Sequence, residues 1–350
     1  MSQCLTLKAV NIAYSFLLLF VLAYSSNANA EANVPQELPS LTLPSLVVFK
    51  DWPVQWQGRP RDPYVAPNGD VWFCGQVTNY LARLTPTTGK MTQFDVLDGS
   101  HPHNLIVDNR GNVWYAGNKD AHIGMLMPET KQILKYEMPQ GISDPHTLVF
   151  DHQGDIWFTA QHSNVIGKLH VRSGEIKAVK AHTKGSRPYG IKVDSNNQPW
   201  SVLVGTNKLA TVDSTTMTLT EITLPREEAR PRRLEITPDG SIWYVDYAKG
   251  YLGRYQPVSK IFTEWAMPSQ DDSYPYGTAL DNNGRIWIAE TGQTPNTMVI
   301  FDTKTKSFIS KSDISAGGTV RHMYYDNKED AIWFGSDAGF ISRASLKDHN

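Results

Sequence analysis

The sequence has 350 residues, 40% hydrophobic and 19% charged, enough apolar material for one large or two medium globular domains, which excludes a mainly disordered chain. Its 33 basic and 35 acidic side chains nearly cancel, so no global field attracts nucleic acid and any anion recognition is local. The two cysteines, Cys4 and Cys74, exclude a disulfide framework. Its 25 glycines, 21 prolines and 10 tryptophans predict a strand-rich, turn-rich protein.

Residues 1–30 have the pattern of a secretory signal peptide. Lys8 precedes an apolar run at 15–23, and an A-x-A cleavage site ends at Ala30. The run is too short for a membrane span. We therefore expect cleavage near Ala30 and a periplasmic or secreted monomer without membrane insertion. The proline-containing segment 31–45 is predicted to be an extended lead-in.

Seven tryptophans recur at intervals of 42 to 46 residues, each in a similar local sequence such as Asp281-Asn-Asn-Gly-Arg-Ile-Trp-Ile288. The seven are Trp72, Trp114, Trp157, Trp200, Trp243, Trp287 and Trp333. Turn residues before each tryptophan indicate a hairpin, and two more strand patterns follow it. Four strands in about 43 residues is typical of one β-propeller blade. The fold class is therefore all-β, a seven-bladed β-propeller over 46–350 whose tryptophans pack the blades.

The last repeat ends after the strand pattern at 339–343 and has no fourth strand of its own. Residues 46–53 read like a fourth strand, yet they precede the first repeat. We therefore expect the N-terminal strand to complete the last blade and close the ring, which leaves no exposed edge there.

One position of the innermost strand is predicted to form a ring at one mouth of the central channel. It follows the proline that opens each repeat, apart from the last repeat, which is aligned with one extra residue. The seven residues are Arg61, His103, His146, Tyr189, Arg232, Tyr276 and Arg321. Asp62, Arg233 and His322 lie one residue later and are candidates to add to the ring. The ring is cationic and rich in hydrogen-bond donors, which favours an anionic ligand.

The position three residues after each tryptophan carries a carboxylate in two adjacent repeats, Asp246 and Glu290. Carboxylate oxygens suit a hard divalent cation, but two of them do not complete its shell. Pairing with Arg232 and Arg321 is the alternative.

The repeated pattern, with I-G-[KR]-L after the tryptophan, resembles the streptogramin B lyase (virginiamycin B lyase) family over about 46–343. That resemblance implies Mg²⁺-dependent ring opening of a cyclic depsipeptide by β-elimination, without an organic cofactor. It places Glu290 at a metal-binding glutamate. It places Tyr276 at the family's general-base histidine, Tyr274 at its first metal glutamate and Arg232 at the histidine of the preceding blade, so three of four functional positions differ.

Two hypotheses follow for the same mouth. The first is a carbon–oxygen lyase acting on a cyclic depsipeptide or a carboxylate-bearing substrate. Here Tyr276, His146 and Arg232 are catalytic, Arg61, His103, Tyr189, Arg321 and Tyr274 bind substrate, and Glu290 and Asp246 are the candidate Mg²⁺ ligands. Arg232 or Arg321 could instead replace the metal. The second is a noncatalytic binding propeller for an anionic ligand or a protein partner. Metal-dependent lactone or ester hydrolysis, a third possibility, lacks the expected acidic cage.

Overall fold

In the computed structural model, residues 42–347 are described, and they contain 28 strands and one 3₁₀ turn, Gln270–Asp272. The first half of the strands comprises β1 (Val47–Pro53), β2 (Pro60–Val65), β3 (Val71–Gly75), β4 (Tyr80–Thr85), β5 (Lys90–Asp95), β6 (Pro102–Val107), β7 (Val113–Gly117), β8 (His122–Met127), β9 (Gln132–Glu137), β10 (Pro145–Phe150), β11 (Ile156–Ala160), β12 (Val165–Leu169), β13 (Ile176–Lys180) and β14 (Pro188–Val193). The second half comprises β15 (Pro199–Leu203), β16 (Lys208–Val212), β17 (Leu219–Thr223), β18 (Pro231–Ile236), β19 (Ile242–Asp246), β20 (Tyr251–Gln256), β21 (Ile261–Ala266), β22 (Pro275–Leu280), β23 (Arg285–Glu290), β24 (Thr297–Asp302), β25 (Ser307–Asp313), β26 (Val320–Asp326), β27 (Ala331–Ser336) and β28 (Phe340–Leu346). The predicted signal peptide and most of the predicted lead-in lie outside the described residues.

The strands form seven antiparallel sheets of four strands each, which we number as blades 1 to 7. Blades 1 to 6 each use four consecutive strands, from β2–β5 to β22–β25, and blade 7 combines β26, β27 and β28 with β1. The first strand of every blade lies against its counterparts in the neighbouring blades, for example β2 against β6 and β26. The predicted seven-bladed propeller is confirmed.

Blade 7 is completed by the N-terminal strand, as the sequence predicted. Strand β1 pairs with β28 along its full length, from Val47 opposite Leu346 to Pro53 opposite Phe340. The junction is also hydrogen-bonded to blade 6, because Leu46 N donates to Ser310 Oγ at 3.2 Å. The first and last strands of the ring therefore hold each other in one sheet, in which β28 is paired on both sides and β1 is the outermost strand.

The repeated tryptophans are buried between blades, with exposed fractions of 0–6%. Trp333 of blade 7, for example, shares a hydrophobic cluster with Val71 and Phe73 of blade 1.

The aspartate six residues before several tryptophans explains the recurring local sequence. Asp281 Oδ1 accepts the backbone N–H of Asn283 and of Arg285, both at 2.9 Å, and its Oδ2 accepts the Trp287 indole N–H at 2.9 Å. One carboxylate thus fixes both the hairpin turn and the packing residue.

Each inner strand carries a β-bulge at the ring position. In blade 2, Pro102 pairs with Gly117 and Leu105 with Tyr115, so His103 and Asn104 together lie opposite one residue. Regular strand alternation would send these two side chains to opposite faces, whereas a bulge re-aims them. The bulges therefore allow two consecutive residues of each blade to face the channel, which builds two tiers of side chains.

Candidate functional site

All seven predicted ring residues line a single cavity of about 390 Å³ at one mouth of the channel. Its full lining is Arg59, Arg61, Gln76, His103, His146, Gln161, Arg187, Tyr189, Val204, Arg232, Tyr276 and Arg321. Five of these residues are arginines and none is acidic. The volume lies at the lower end of the range for small-molecule sites. We call this space the upper cavity.

The aromatic and imidazole rings of the upper cavity form a continuous arc. The ring centroids of His103 and His146 are 3.7 Å apart, and those of His146 and Tyr189 are 4.3 Å apart. The hydroxyls of Tyr189 and Tyr276 are hydrogen-bonded to each other. Arg232 lies beside this pair, its guanidinium carbon 4.5 Å from the Tyr276 ring centroid. A charge on one of these side chains therefore interacts electrostatically with its neighbour in the arc.

Tyr276 is the phenol whose ionisation this environment promotes. Burial acts to raise its pKa, but the guanidinium groups of Arg232, Arg233 and Arg61 and the hydrogen bond from Tyr189 lower the pKa below the ordinary value. The pKa of Tyr189 moves in the opposite direction, because burial and the charge of an ionised Tyr276 both raise it. The pair can therefore hold one phenolate, on Tyr276, with Tyr189 as its hydrogen-bond donor.

The histidines of the upper cavity are held neutral. Burial lowers the pKa of His103 and of His146 well below the ordinary value, and the neighbouring guanidinium groups, Arg61 foremost for His103 and Arg233 for His146, lower it further. His146 Nδ1 is 2.9 Å from Thr147 Oγ1, which fixes the orientation of its ring. At neutral pH these imidazoles offer hydrogen bonds without adding positive charge.

Three polar atoms in this lining are buried and have no hydrogen-bond partner among residues 42–347: Arg61 Nη2, Arg232 Nε and His103 Nδ1. The side chains of Arg61 and His103 are 5% and 7% exposed. Leaving a buried donor unsatisfied is costly. These atoms therefore mark where a ligand with acceptor oxygens fits.

A second tier of side chains, one residue further along the inner strand in five of the seven blades, closes the channel below the upper cavity; the other two blades have glycine there. Asp62 is its centre: Arg61 Nε donates to Asp62 Oδ1 at 2.9 Å, and Asn104 Nδ2 donates to Asp62 Oδ2 at 2.9 Å. Arg233 crosses from blade 5, its Nη2 3.9 Å from Asp62 Oδ2 and its Nη1 3.4 Å from Thr147 Oγ1. The sequence left the direction of Arg233 open, and the structure directs it into the channel.

A glycine makes the crossing of Arg233 possible. A Cβ at Gly190 would lie 3.2 Å from the Arg233 Cα and 3.3 Å from its Cδ. Below the tier lies a separate cavity of about 340 Å³, which we call the lower cavity. It shares no lining residue with the upper cavity, and Arg233 and His322 face it.

The two carboxylates expected to bind Mg²⁺ lie outside the lining of the upper cavity. Glu290 pairs in register with Pro275 and accepts hydrogen bonds from Ser269 N at 3.0 Å, Ser269 Oγ at 2.7 Å and Thr297 Oγ1 at 2.8 Å. Lys311 Nζ is 3.5 Å from its Oε2. Both oxygens of Glu290 are therefore occupied by its own blade.

Asp246 is held through one oxygen only, because its buried Oδ2 has no hydrogen-bond partner among residues 42–347. Its Oδ1 accepts the backbone N–H of Arg230 at 2.9 Å, of Ala248 at 3.1 Å and of Lys249 at 3.3 Å. No cluster of three or more His, Cys, Asp or Glu side chains that could hold a metal occurs within residues 42–347. As placed, Asp246 and Glu290 do not fit a divalent cation.

The alternative pairing of these carboxylates with the ring arginines is wrong. Arg321 pairs instead with Asp337, at 2.5 Å from Nη2 to Oδ2. Arg232 stacks on Tyr247, at 3.8 Å from its guanidinium carbon to the ring centroid. The reason is register: the position three residues after the tryptophan is opposite the proline of the inner strand, so its side chain meets the loops of its own blade.

Tyr274, predicted to bind substrate, is outside the lining of the upper cavity. It is 41% exposed and its ring centroid is 5.3 Å from that of Tyr247. Sequence reasoning missed Gln76, Gln161 and Val204, which all lie four residues after a repeated tryptophan. That equivalent position was the signal that could have found them.

Sequence reasoning also missed Arg59 and Arg187. Both stand two residues before a ring residue, in the left-handed region with φ of 57° and 55°. The guanidinium of Arg59 is 3.5 Å from Asp337, which it shares with Arg321. Both arginines are exposed and extend the positive charge of the upper cavity outward.

The comparisons with known proteins agree with this architecture. The sequence profile of the virginiamycin B lyase family matches residues 49–297. A streptogramin B lyase structure superimposes with a TM-score of 0.78 at 24% identity, covering 86% of this chain and 98% of that one. Virginiamycin B lyase from Staphylococcus aureus gives a TM-score of 0.78 at 22% identity, covering 86% of this chain and 100% of that one.

A third similar structure is the extracellular domain of a one component system from B. thetaiotaomicron. Its TM-score is 0.67 at 17% identity, and the match covers 88% of this chain and 43% of that one. At such identities these likenesses concern the fold. Among curated proteins, none matches the chain. Within residues 42–347, no helix has the length and apolar character needed to cross a membrane.

Proposed function

Because the chain belongs to the virginiamycin B lyase family, we propose that it is an exported carbon–oxygen lyase acting by β-elimination on a carboxylate-bearing substrate in the upper cavity. The observation that carries the proposal is Tyr276. Its hydroxyl is hydrogen-bonded to a second phenol, the Arg232 guanidinium lies over its ring, and its pKa is lowered. A lowered pKa increases the fraction of phenolate that is available to abstract a proton from carbon.

The proton transfers balance without water. The Tyr276 phenolate takes the proton on the carbon next to the substrate carboxylate. The electron pair of that C–H bond forms the new carbon–carbon double bond, and the bond from the adjacent carbon to the leaving oxygen breaks. The leaving oxygen then takes the proton from the Tyr276 phenol, which returns to the phenolate. The two products together have the mass of the substrate.

The arginines supply the electrostatic part of this reaction. Removing a proton beside a carboxylate creates a second negative charge, which must be neutralised in the transition state. The unpartnered Arg61 Nη2 and Arg232 Nε can donate to that carboxylate, and guanidinium groups bind carboxylates bidentately. Guanidinium groups would thus neutralise charge where the family resemblance implies a metal, and neutral His146 would orient the substrate by hydrogen bonding.

A noncatalytic binding propeller is the second candidate. It is favoured by the substitution of three of the four positions that the family resemblance marks as functional, now Tyr274, Tyr276 and Arg232. The same unpartnered donors would hold an anionic ligand without any chemistry. The two candidates differ in whether they require the Tyr276 hydroxyl, because elimination needs it and ligand binding alone does not.

Mass spectrometry of the purified protein incubated with streptogramin B, acidic peptides and acidic oligosaccharides distinguishes the two. The lyase predicts unsaturated products at unchanged total mass, with turnover lowered by about 10²–10⁴-fold in Tyr276→Phe. Tyr247→Phe is the matched control, because that phenol also contacts Arg232 but has no assigned role. If the wild type forms no product and calorimetry shows that Tyr276→Phe still binds one of these compounds, the result would favour the binding propeller.

Export is tested separately. Sequencing the amino terminus of protein recovered from the periplasm or the medium should give Glu31 as the first residue. An uncleaved chain inside the cell would contradict it.

A further inference from the structure

The floor of the upper cavity determines what shape of ligand can enter. The tier below it joins Asp62, Asn104, Thr147 and Arg233 by contacts of 2.9–3.9 Å, and each of these side chains is 1–4% exposed. Arg233 Nε also donates to the Arg321 backbone carbonyl at 3.2 Å. These contacts connect five of the seven blades across the channel, so the site is a blind pocket and not a through-channel.

A blind pocket of about 390 Å³ has room for the end of a chain of small rings, but not for the interior of a long polymer that must continue in both directions. Entry is from the mouth alone, because the lower cavity shares no lining residue with the upper one. A polymeric substrate must therefore present a terminus.

The charge of the mouth indicates more than one anionic group. Asp337 is the carboxylate that pairs with Arg59 and Arg321, and Asp62 pairs with Arg61. Arg187 and Arg232 have no ion-pair partner within the described part of the chain. One carboxylate at the base of the pocket and another at the rim would match this excess of positive charge.

The chemistry of elimination narrows the ligand class. In a 4-linked uronic acid chain, every internal residue carries an acidic C5–H next to a carboxylate and an oxygen leaving group on C4. A peptide offers such a leaving group only where a serine or threonine is esterified. The exposed ring of Tyr274 beside Tyr247 adds an aromatic surface at the rim on which a sugar ring can pack.

We propose that the upper cavity is an exolytic site for short 4-linked oligouronates, with the reducing-terminal uronate, whose C4 carries the leaving glycosidic oxygen, at Arg61 and Arg232 and the next carboxylate at Arg59 and Arg187. This inference rests on the proposed lyase function. The elimination is the one written above: the C5–H bond and the C4–O bond break, the C4–C5 double bond forms, and the proton moves through Tyr276 to the departing sugar hydroxyl. No water or other reactant is consumed.

The test uses the purified protein with defined 4-linked oligomannuronates and with polymannuronate, in which the C5–H and C4–O bonds lie on the same face of the ring, as proton transfer through one tyrosine requires. Products are followed by ultraviolet absorbance of the unsaturated carboxylate, by mass spectrometry and by viscosity. We expect monouronate units to be released from the first turnovers, kcat/KM to be at least about tenfold higher for the short oligomers, and polymer viscosity to stay constant. A fall in viscosity with mixed unsaturated oligomers would overturn the exolytic assignment.

Two variants examine the rim. Arg59→Gln and Arg187→Gln should each raise KM for the uronate trimer about tenfold and leave kcat within about twofold. The control is Arg110→Gln, which changes an exposed arginine near the opposite mouth and should alter neither constant. Equal effects of all three would overturn the rim subsite. Elimination of acidic depsipeptides but not of uronates would overturn this inference and leave the lyase function standing. Binding without elimination of any compound would overturn both.

Discussion

The hydroxyls of Tyr189 and Tyr276 share a hydrogen bond inside the channel mouth, although the residues are 87 positions apart in the sequence and belong to blades 4 and 6. Their environments move the two pKa values in opposite directions, upward for Tyr189 and downward for Tyr276. Titratable neighbours whose pKa values are driven apart are typical of acid–base sites.

For the proposed elimination, Tyr189→Phe should shift the pH dependence of turnover to higher pH. Because the Tyr189 hydroxyl donates to Tyr276 and helps to lower its pKa, its loss raises the pKa of Tyr276. The pH profile of kcat/KM rises as Tyr276 loses its proton, so the rising limb should shift to higher pH in the variant. Ultraviolet titration of tyrosinate, performed without substrate, should show the same shift. A limb that stays in place would show that Tyr276 is not the titrating base.

Acid should destabilise the protein well above the range of carboxylate titration. Burial and neighbouring guanidinium groups hold the pKa values of His103 and His146 well below normal, and that of His322 at about 3. In the unfolded chain these groups titrate near pH 6.5. The unfolded state therefore binds more protons below pH 6.5, and the free energy of unfolding falls as the pH decreases.

Each such histidine contributes a slope of about 1.4 kcal/mol per pH unit. Urea denaturation between pH 7 and 5 measures the slope, and His103→Gln should reduce it by about that amount per pH unit at full titration. A free energy of unfolding that is flat over this range would contradict the neutral, buried state of the histidines.

Asp62→Asn should destabilise the fold strongly. Burial acts to raise the pKa of Asp62, but Arg61, His322 and Arg233 hold it far below normal. Removing the charge leaves two buried guanidinium groups without their counterion, which costs about 3–5 kcal/mol. Asp337→Asn, at the partly exposed pair with Arg321, is the matched control and should cost no more than about 1 kcal/mol. Similar urea midpoints for the two variants would exclude the central role of Asp62.

Glu290 should prove structural. Its oxygens are held by Ser269, Thr297 and Lys311, so Glu290→Gln should lower stability by about 1–3 kcal/mol. Neither Mg²⁺ nor a chelator should change the Tm of the wild type. A saturable rise of Tm with Mg²⁺ that is lost in Glu290→Gln would instead restore the metal site that the family resemblance implies.

The sequence was sufficient for the propeller, because tryptophans at near-constant spacing, four of them with an aspartate six residues earlier, specify one repeated unit. It was also sufficient to bring the seven ring residues to one mouth, since every repeat carries them at an equivalent position. The tier of Asp62 and Arg233 could not be predicted. It depends on a bulge that turns two successive side chains toward the channel, whereas strand alternation predicts opposite faces.

The environments of the two predicted metal-binding carboxylates could not be predicted from the repeat either. Asp246 and Glu290 occupy equivalent positions in adjacent blades, which suggested a shared site. Their environments are set by the loops that each one caps, through Arg230 and Ala248 in one case and Ser269 in the other. Contacts of that kind depend on loop conformation, for which the repeat gives no information.

The most direct test of elimination at Tyr276 is product analysis by mass spectrometry in oxygen-labelled water, comparing the wild type with Tyr276→Phe. The account predicts that the wild-type products sum to the mass of the substrate, carry no label from water, and disappear in the variant while the variant still folds and binds. Incorporation of label would show hydrolysis. Unchanged turnover in Tyr276→Phe would remove Tyr276 from the reaction, and either result would contradict the account.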